Sequence, residues 1–204
     1  MIACSTSPPP WAAPPPAGAG RPTDAQLVAR SISDPSAFTA IFDRHHSAIH
    51  RYLLRRLPAA VADDVASETF LRAFDARGRF DATRADSARP WLFGIAVNLS
   101  RRHRRDERRG LRALSRHGVS RDGGAADLDA VHGRLDAAAC EHVLEAALRG
   151  LSERLRQPLL LHVWGELTYA EVAVALDVPI GTVRSRIARA RDELRSALPT
   201  EDRS

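Results

Sequence analysis

The chain has 204 residues, 44% of them hydrophobic and 27% charged, with a formal net charge of +5 and an isoelectric point near 10.4. No apolar run reaches about 18 residues and no basic segment precedes an apolar one at the start, so we expect neither a membrane span nor a secretory signal. The two cysteines, Cys4 and Cys140, are too few for a disulfide framework or a four-cysteine zinc site, which fits a reduced, cytoplasmic location.

The charged residues favour a polyanionic partner. All 30 basic residues are arginine, whose planar guanidinium group suits phosphate and guanine. Aromatic residues make up only 5% of the chain, and turn residues beside β-branched runs are rare. The composition therefore predicts an all-α protein that binds nucleic acid.

The chain divides into four segments. Residues 1–26 begin with a Pro/Ala/Gly-rich stretch that cannot bury enough apolar surface to fold, so they are predicted to form a disordered tail. Helical periodicity runs through residues 27–109 and again through residues 140–198. Residues 110–139 contain a Gly-Gly pair and little periodicity. The sequence thus predicts two small helical domains joined by a flexible linker.

Three histidines cluster in the first domain. His46 and His50 are four residues apart, a spacing that helical zinc sites use, and His45 lies beside them. No Glu or other third ligand is suitably spaced, so we expect no metal site here.

The segment VADDVASETFLRAF, residues 61–74, is amphipathic on a helical wheel. The side predicted to face the core carries Asp63, Ala66, Ser67, Phe70, Leu71 and Phe74. The opposite side carries Val65, Glu68, Thr69 and Arg72. This second side is either a solvated face supported by the Glu68–Arg72 pair or a face that docks on another protein.

A polar loop at residues 78–89 leads into a helix that starts at Pro90, since proline suits the first helical turn. The predicted buried stripe of this helix consists of Trp91, Leu92, Ile95, Ala96 and Leu99. After Asn98 the sequence becomes SRRHRRDERR. Phe80 and Trp91 next to this basic track suit stacking on unpaired bases, and the alternative places both residues in the core.

The second domain ends in two short helices with a sharp break. Thr168 and Glu171 are predicted to form a capping box, and Pro179 ends the helix that they begin. Upstream, residues 144–167 supply two more helices, in which Pro158 either kinks the helix or lies in its first turn. The apolar stripe of the last helix is Val183, Ile187, Ala190 and Leu194. The residues that face away from this stripe or flank it are small or basic: Thr182, Arg184, Ser185, Arg186, Ala188 and Arg189.

These last two helices match the helix-turn-helix arrangement, whose second helix reads bases in the major groove. The alternative is a helical hairpin with a solvated arginine face. Solvated faces normally mix charge signs, whereas here the arginines precede the first carboxylate, Asp192. We therefore predict that this helix binds duplex DNA.

Four stretches, in order, resemble the extracytoplasmic-function sigma factors of bacterial RNA polymerase. They are FDRHHSAIHRYLLRRL, DDVASETFLRAF, ARPWLFGIAVNLSRRHRR and LTYAEVAVALDVPIGTVRSRIARARDEL, and the resemblance covers nearly all of residues 34–198. It implies that the first domain is sigma region 2, which melts and reads the promoter −10 element. It also implies that the second domain is region 4, which reads the −35 element.

The resemblance assigns roles to individual residues. Docking on the clamp helices of core RNA polymerase maps to Asp63, Asp64, Glu68, Thr69 and Arg72. Recognition of the single-stranded −10 element maps to the loop Phe80–Asp86 and to Phe80, Trp91, Asn98, Arg101, Arg102 and Arg105. Recognition of the −35 duplex maps to Thr182, Arg184, Ser185, Arg186 and Arg189. The chain departs from the family at Val61, Ser67 and Arg102, where an acid, Gln and Asp are common.

The expected function is that of a non-catalytic subunit that binds core RNA polymerase and directs promoter-specific initiation. The resemblance further implies an anti-sigma factor as partner, and the proposed mechanism needs no cofactor. No phosphate loop, nucleophile–base pair or metal cluster in the sequence indicates an enzyme. The remaining alternative is a freestanding helix-turn-helix regulator that acts by duplex binding alone.

Overall fold

The computed structural model describes residues 21–84, 87–116 and 135–197, and all regular structure in these ranges is helical. The prediction of an all-α fold is therefore confirmed. The helices are α1 (Asp24–Arg30), α2 (Thr39–Leu54), α3 (Ala59–Asp75), α4 (Arg89–Arg116), α5 (Leu135–Gly150), α6 (Glu153–Val163), α7 (Tyr169–Leu176) and α8 (Ile180–Ala197). Short 3-10 turns at Pro35–Phe38 and Arg77–Arg79 precede α2 and follow α3.

Helices α1 to α4 form the first domain around a shared core. Ile41, Ile49 and Leu53 of α2 are fully buried and pack between α3 and α4. Leu92 and Phe93 of α4 are fully buried as well. Burying such side chains contributes about 1.5–3 kcal/mol each, which is the main force that holds the domain together.

The buried side of α3 is rotated from the predicted one. Val65 and Thr69, expected on the outer side, are buried, whereas Ser67 and Leu71 are exposed. Thr69 is tolerated inside because its hydroxyl donates to the Val65 carbonyl oxygen at 2.7 Å. The assignment of Thr69 to the polymerase-docking face is therefore corrected, since its side chain faces the core.

The helices reach further into the chain than the predicted segments allow. Helix α1 begins at Asp24, inside the predicted tail, where Thr23 and Gln26 form a capping box. Helix α4 continues to Arg116 and α5 begins at Leu135, so both extend into the predicted linker. The disordered tail and the flexible linker were predicted mainly for residues 1–20 and 117–134, which lie outside the described residues.

Helices α5 to α8 form the second domain. The capping box of Thr168 and Glu171 is present at the start of α7, as predicted. Helix α7 ends at Leu176, and the next residue, Asp177, has a φ of 52° that reverses the chain before α8. Pro158 lies inside α6 as its sixth residue, beyond the first turn, and is buried. The local sequence signals in this domain therefore describe its structure well.

The two domains pack directly on each other, a contact that the sequence did not predict. Gly94 of α4 meets the backbone of Ala175 in α7 so closely that an added Cβ would lie 2.7 Å from the Ala175 carbonyl oxygen. The Phe93 ring packs between Tyr52 and the backbone of Gly165. The centroids of the Phe93 and Tyr52 rings are 5.2 Å apart. We call this contact of α2 and α4 with α6 and α7 the domain seam.

Candidate nucleic-acid and polymerase interfaces

Helix α8 presents one apolar and one basic side. Val183, Ile187 and Ala190 are fully buried and Leu194 is partly buried, which confirms the predicted stripe. The opposite side is open to solvent along its length. Its residues are fully or partly exposed: Thr182, Arg184, Ser185, Arg186, Ala188 and Arg189.

The arginines of this basic side are free for an external anion. Within the described part of the chain, Arg184, Arg186 and Arg189 have no carboxylate within 4.0 Å. Arg195, which lies about two to three turns further on, is already paired with Asp192 at 2.7 Å. The small Thr182 and Ser185 lie at the start of the helix, where a major groove needs little bulk. The geometry therefore fits a recognition helix.

A second candidate surface is an open cleft of about 300 Å³ at the start of α4. Phe80 and Trp91 lie side by side there, with ring centroids 5.2 Å apart and planes tilted by 56°. Asn98 lines the same cleft and is exposed, and Arg79 and Arg84 stand at its rim. The structure thus brings together the aromatic, amide and cationic groups that an unpaired nucleotide requires.

The other predicted −10 residues lie further along α4. Arg102 and Arg105 are exposed and Arg101 is partly exposed. They follow Asn98 by one to two helical turns, or about 5–11 Å. Arg102 is 3.8 Å from Asp106, a weak exposed pair. These three arginines extend the cleft as a basic track rather than line it. Asp86, the last residue of the predicted −10 loop, lies outside the described residues.

The exposed side of α3 forms the third candidate surface. Asp63, Asp64, Glu68 and Arg72 are exposed, and the Arg72 guanidinium lies 2.7 Å from the Glu68 carboxylate. Leu71 stands among them with 62% of its surface exposed. Sequence reasoning placed Leu71 in the core. The neighbouring acids at positions 63, 64 and 68 were the only sign that this side of the helix faces outward.

Two ion pairs close the domain seam at its outer edge. Arg84 Nη2 lies 2.7 Å from Asp177 Oδ1, and Arg89 Nη2 donates to the Gly165 carbonyl oxygen at 2.8 Å. Arg89 also approaches Glu166 at 3.4 Å. Arginines before and at the start of α4 therefore hold both ends of α7.

A buried polar cluster closes the seam on the other side. Gln157 Nε2 donates to the Tyr52 hydroxyl at 2.8 Å, and Arg56, with only 3% of its side chain exposed, approaches Glu153 at 3.3 Å. Burial raises the pKa of Glu153, but Arg156, Arg56 and Arg104 together lower it below its usual value. The single Glu153 carboxylate is thus shared by three arginines, which leaves the positive charge on this side of the seam only partly neutralised.

The histidines of α2 form hydrogen bonds and ring contacts within the first domain. His45 Nε2 lies 2.7 Å from Asp24, and His50 Nε2 lies 2.6 Å from Asp63. The His46 and His50 rings stack at 5.6 Å. Among the residues that the structure describes, no three His, Cys, Asp or Glu side chains converge on a position that could hold a metal ion.

None of the described helices combines the length and apolarity needed to cross a membrane.

Comparison with known proteins identifies both domains. The family model described as Sigma-70 region 2 matches residues 41–110, and the model described as Sigma-70, region 4 matches residues 141–194. The ECF RNA polymerase sigma-E factor of Escherichia coli K12 is 30% identical over 179 residues, which covers 84% of this chain and 92% of that protein. The chain belongs to the extracytoplasmic-function sigma factors. The resemblance read from four sequence stretches is confirmed, and the matched residues place most of α2–α4 in sigma region 2 and most of α5–α8 in sigma region 4.

Other relatives agree. The RNA polymerase sigma-H factor of Pseudomonas aeruginosa is 32% identical over 183 residues, covering 86% of this sigma factor and 93% of that one. The solved structure of CnrH in complex with the cytosolic domain of CnrY superposes with a TM-score of 0.59 at 25% identity, covering 88% and 99% of the two chains. The sigma factor RpoE of Bartonella quintana, solved with the anti-sigma factor NepR, shares the fold at 24% identity and a TM-score of 0.58. The function is that of a sigma factor that directs promoter-specific initiation by RNA polymerase.

Proposed function

We propose that this sigma factor divides promoter recognition among the three surfaces described above. The outer side of α3 docks on the polymerase clamp, the cleft of Phe80, Trp91 and Asn98 captures unpaired −10 bases, and α8 reads the −35 duplex. The observation that carries the proposal is the part of the cleft that the first domain supplies, where Phe80, Trp91 and Asn98 lie together, because a regulator that binds only duplex DNA has no need for it. The proposed factor is cytoplasmic and catalyses no reaction of its own.

The −10 cleft suits a base that has left the double helix. Extruding a base costs a few kcal/mol, and each base stacked on an aromatic ring returns about 1–3 kcal/mol. Phe80 and Trp91 supply such rings, and the Asn98 amide offers both a donor and an acceptor to a base edge. Arg101, Arg102 and Arg105 then follow the phosphates of the same strand. Strand opening is thus driven by binding, without nucleotide hydrolysis.

The domain seam must open before both promoter elements are bound. Val174 and Ala175 of α7 form one wall of the −10 cleft, so region 4 partly covers the surface that the DNA strand uses. The two elements are roughly 25 base pairs apart, about 85 Å along the duplex. In the closed form α7 contacts both α4 and α8, so the two DNA-reading surfaces lie on neighbouring helices, much closer together than that. We propose that docking on polymerase separates regions 2 and 4.

The composition of the seam supports separation. Within the described residues, Nε of Arg56, Arg89 and Arg156 and Oε1 of Gln157 are buried without a hydrogen-bond partner. Unpaired buried polar groups oppose the contact that buries them. Polar interfaces of this kind between domains resemble transient protein–protein interfaces. An anti-sigma factor that holds the closed form is part of the proposal, supported by the solved complexes of CnrH and of the Bartonella factor.

Transcription in vitro tests the proposal. Transcript starts are mapped after overexpression, and the promoter found is transcribed by core RNA polymerase with and without the purified chain. A specific transcript that depends on the chain is expected. A freestanding regulator would bind the duplex but would not confer a start site on core polymerase. Failure to obtain any specific transcript would refute the sigma mechanism for this chain.

Arg189→Ala is expected to weaken binding of the −35 duplex about tenfold near 0.1 M salt, since one phosphate contact is lost. The slope of log affinity against log salt should shrink by about one unit. Fluorescence anisotropy of a labelled duplex at several salt concentrations measures both quantities. Arg195→Ala is the matched control, because Arg195 on the same helix is already paired with Asp192. Equal effects of the two substitutions would remove Arg189 from the interface.

A further inference from the structure

Helix α1 holds both ends of the segment that joins α3 to α4. This segment, residues 76–88, contains the loop that carries Phe80 and forms the edge of the −10 cleft. Asp24 at the start of α1 binds the far end of the segment, and Ser31 at the end of α1 binds the near end. A seven-residue helix of about 10 Å therefore fixes the distance across the loop.

Asp24 is the more heavily engaged of the two anchors. Its Oδ2 accepts from Ser87 Oγ at 2.8 Å, from the Ala88 amide at 2.9 Å and from His45 Nε2 at 2.7 Å. Its Oδ1 accepts from Arg44 Nη1 at 2.9 Å. The carboxyl group is 7% exposed, so these four donors replace nearly all of its contact with water. A buried carboxylate satisfied in this way has one fixed position.

The contacts of Asp24 divide into two sets. Arg44 and His45 belong to α2 and attach α1 to the body of region 2. Ser87 and Ala88 belong to the end of the loop, directly before α4. Ser87 Oγ in turn accepts from the Arg89 amide at 3.2 Å, so the anchored residue also caps α4. The negative charge lies at the amino-terminal end of α4, where the helix dipole favours it.

The near end of the loop is fixed by Arg77. Its Nε donates to the Ser31 carbonyl oxygen at 3.1 Å and its Nη1 to the Phe74 carbonyl oxygen at 2.6 Å. The guanidinium group also covers the Phe74 ring at 3.9 Å from the centroid. Both ends of the segment that carries Phe80 are therefore held by α1, and the pair of Arg84 with Asp177 of α7 is a further contact of the same segment.

The ionised state of Asp24 is secure. Burial alone raises the pKa of Asp24, but the hydrogen bonds from His45, Ala88, Ser87 and Arg44 bring it well below its usual range. The carboxylate therefore keeps its charge at every pH at which transcription is measured, and only substitution removes it.

We propose that Asp24 is a positioning residue for −10 recognition: through Ser87 and Ala88 it sets the loop whose Phe80 faces the captured base. This inference rests on the proposed function of the cleft. It assigns to α1 a role in reading the promoter, although α1 itself supplies no residue to the cleft. Its consequence is that changes at Asp24 alter how well the cleft distinguishes bases, beyond any change in stability.

The test therefore measures a discrimination ratio, which is open-complex formation on the cognate promoter divided by that on a promoter with one −10 base substituted. Holoenzyme formed from core polymerase and the full chain is tested on the mapped promoter and on the same promoter with each −10 base substituted in turn. Open-complex formation is followed by permanganate reactivity of unpaired thymines. A variant that merely unfolds more easily lowers opening of all templates in proportion. A variant whose loop is misplaced lowers the ratio between the cognate and the substituted promoters.

Three substitutions separate the two sets of contacts. Asp24→Asn loses the charge and is expected to lower the ratio about tenfold, the cost of one poorly read base pair. Ser87→Ala keeps the charge of Asp24 but loses the Ser87 contact to Asp24, together with the hydrogen bond from the Arg89 amide, and is expected to lower the ratio about threefold. Arg44→Met loses only the contact of α2 with Asp24 that Arg44 makes and is expected to leave the ratio unchanged. Asp34→Asn, an exposed carboxylate beyond the other end of α1, is the matched control.

Two results would overturn the inference. One is an unchanged ratio in Ser87→Ala, and the other is an equal loss in Arg44→Met and Asp24→Asn, which would mean that Asp24 only attaches α1 to α2. Ser87→Ala keeps the test decisive even if Asp24→Asn fails to fold. A wild-type chain that opens no promoter would instead contradict the proposed function itself, so the two failures are distinguishable.

Discussion

Glu68→Arg is expected to reduce the affinity of the sigma factor for core RNA polymerase at least about a hundredfold, or ~2.7 kcal/mol. The substitution reverses one of the exposed charges around Leu71 on α3. It also places a second cation four residues before Arg72, whose present partner is the Glu68 carboxylate at 2.7 Å. Equilibrium binding of the labelled full chain to purified core enzyme measures the effect.

Region 4 offers a close control for this substitution. Glu145 on α5 is also followed by an arginine four residues later, and the Glu145–Arg149 pair is exposed to a similar degree. Glu145→Arg makes the same change of charge away from the proposed docking surface and is expected to leave polymerase affinity within about twofold. Binding of the −35 duplex should be unchanged in both variants. Equal loss of polymerase binding in the two would show that net charge, rather than the α3 surface, governs association.

Gly94→Ala is expected to open the domain seam. The added methyl group would lie 2.7 Å from the Ala175 carbonyl oxygen, which is part of the backbone and cannot turn aside. Overpacking of this kind costs about 1–3 kcal/mol, enough to shift the balance between closed and open forms by about 5-fold to 150-fold. Small-angle scattering of the full chain should show a larger radius of gyration. Gly94 also lines the −10 cleft, so scattering rather than DNA affinity is the measurement.

The same helix supplies the control for Gly94. Gly110, also in α4, has no heavy atom within 4 Å of a built Cβ. Gly110→Ala should stabilise the helix by about 1 kcal/mol, because alanine favours helix more than glycine does. It should not change the radius of gyration. A Gly94→Ala protein with the scattering curve of the wild type would show that the seam does not depend on this close approach.

Features with a local cause were predicted well from the sequence. The stripe of Val183, Ile187 and Ala190 and the capping box of Thr168 and Glu171 are periodicities and spacings within one or two helical turns. Those patterns defined the helix-turn-helix. The order of four family stretches then gave the function, which no single pattern could have given.

Features that depend on tertiary contacts were missed. On α3 both sides carry apolar residues, and only packing against α2 and α4 decides that Thr69 turns inward while Leu71 stays outside. The seam joins residues far apart in sequence, such as Gly94 and Ala175, and has no local pattern. Asp24 was assigned to the tail because of the proline-rich residues before it. The Thr23–Gln26 spacing was the one available sign that a helix begins there.

The left-handed turns that flank α7 have a further consequence. Glu166 and Asp177 both have a positive φ, near 51° and 52°, a conformation that costs a residue with a side chain roughly 1–2 kcal/mol relative to glycine. Both carry the carboxylates that meet Arg89 and Arg84 of region 2. Selection for a heat-resistant isolated region 4 should therefore install glycine at both positions. Such variants would raise the stability of region 4 as a separate domain but would lose both ion pairs to region 2. The stability of region 4 and its packing against region 2 therefore place opposite demands on these two residues.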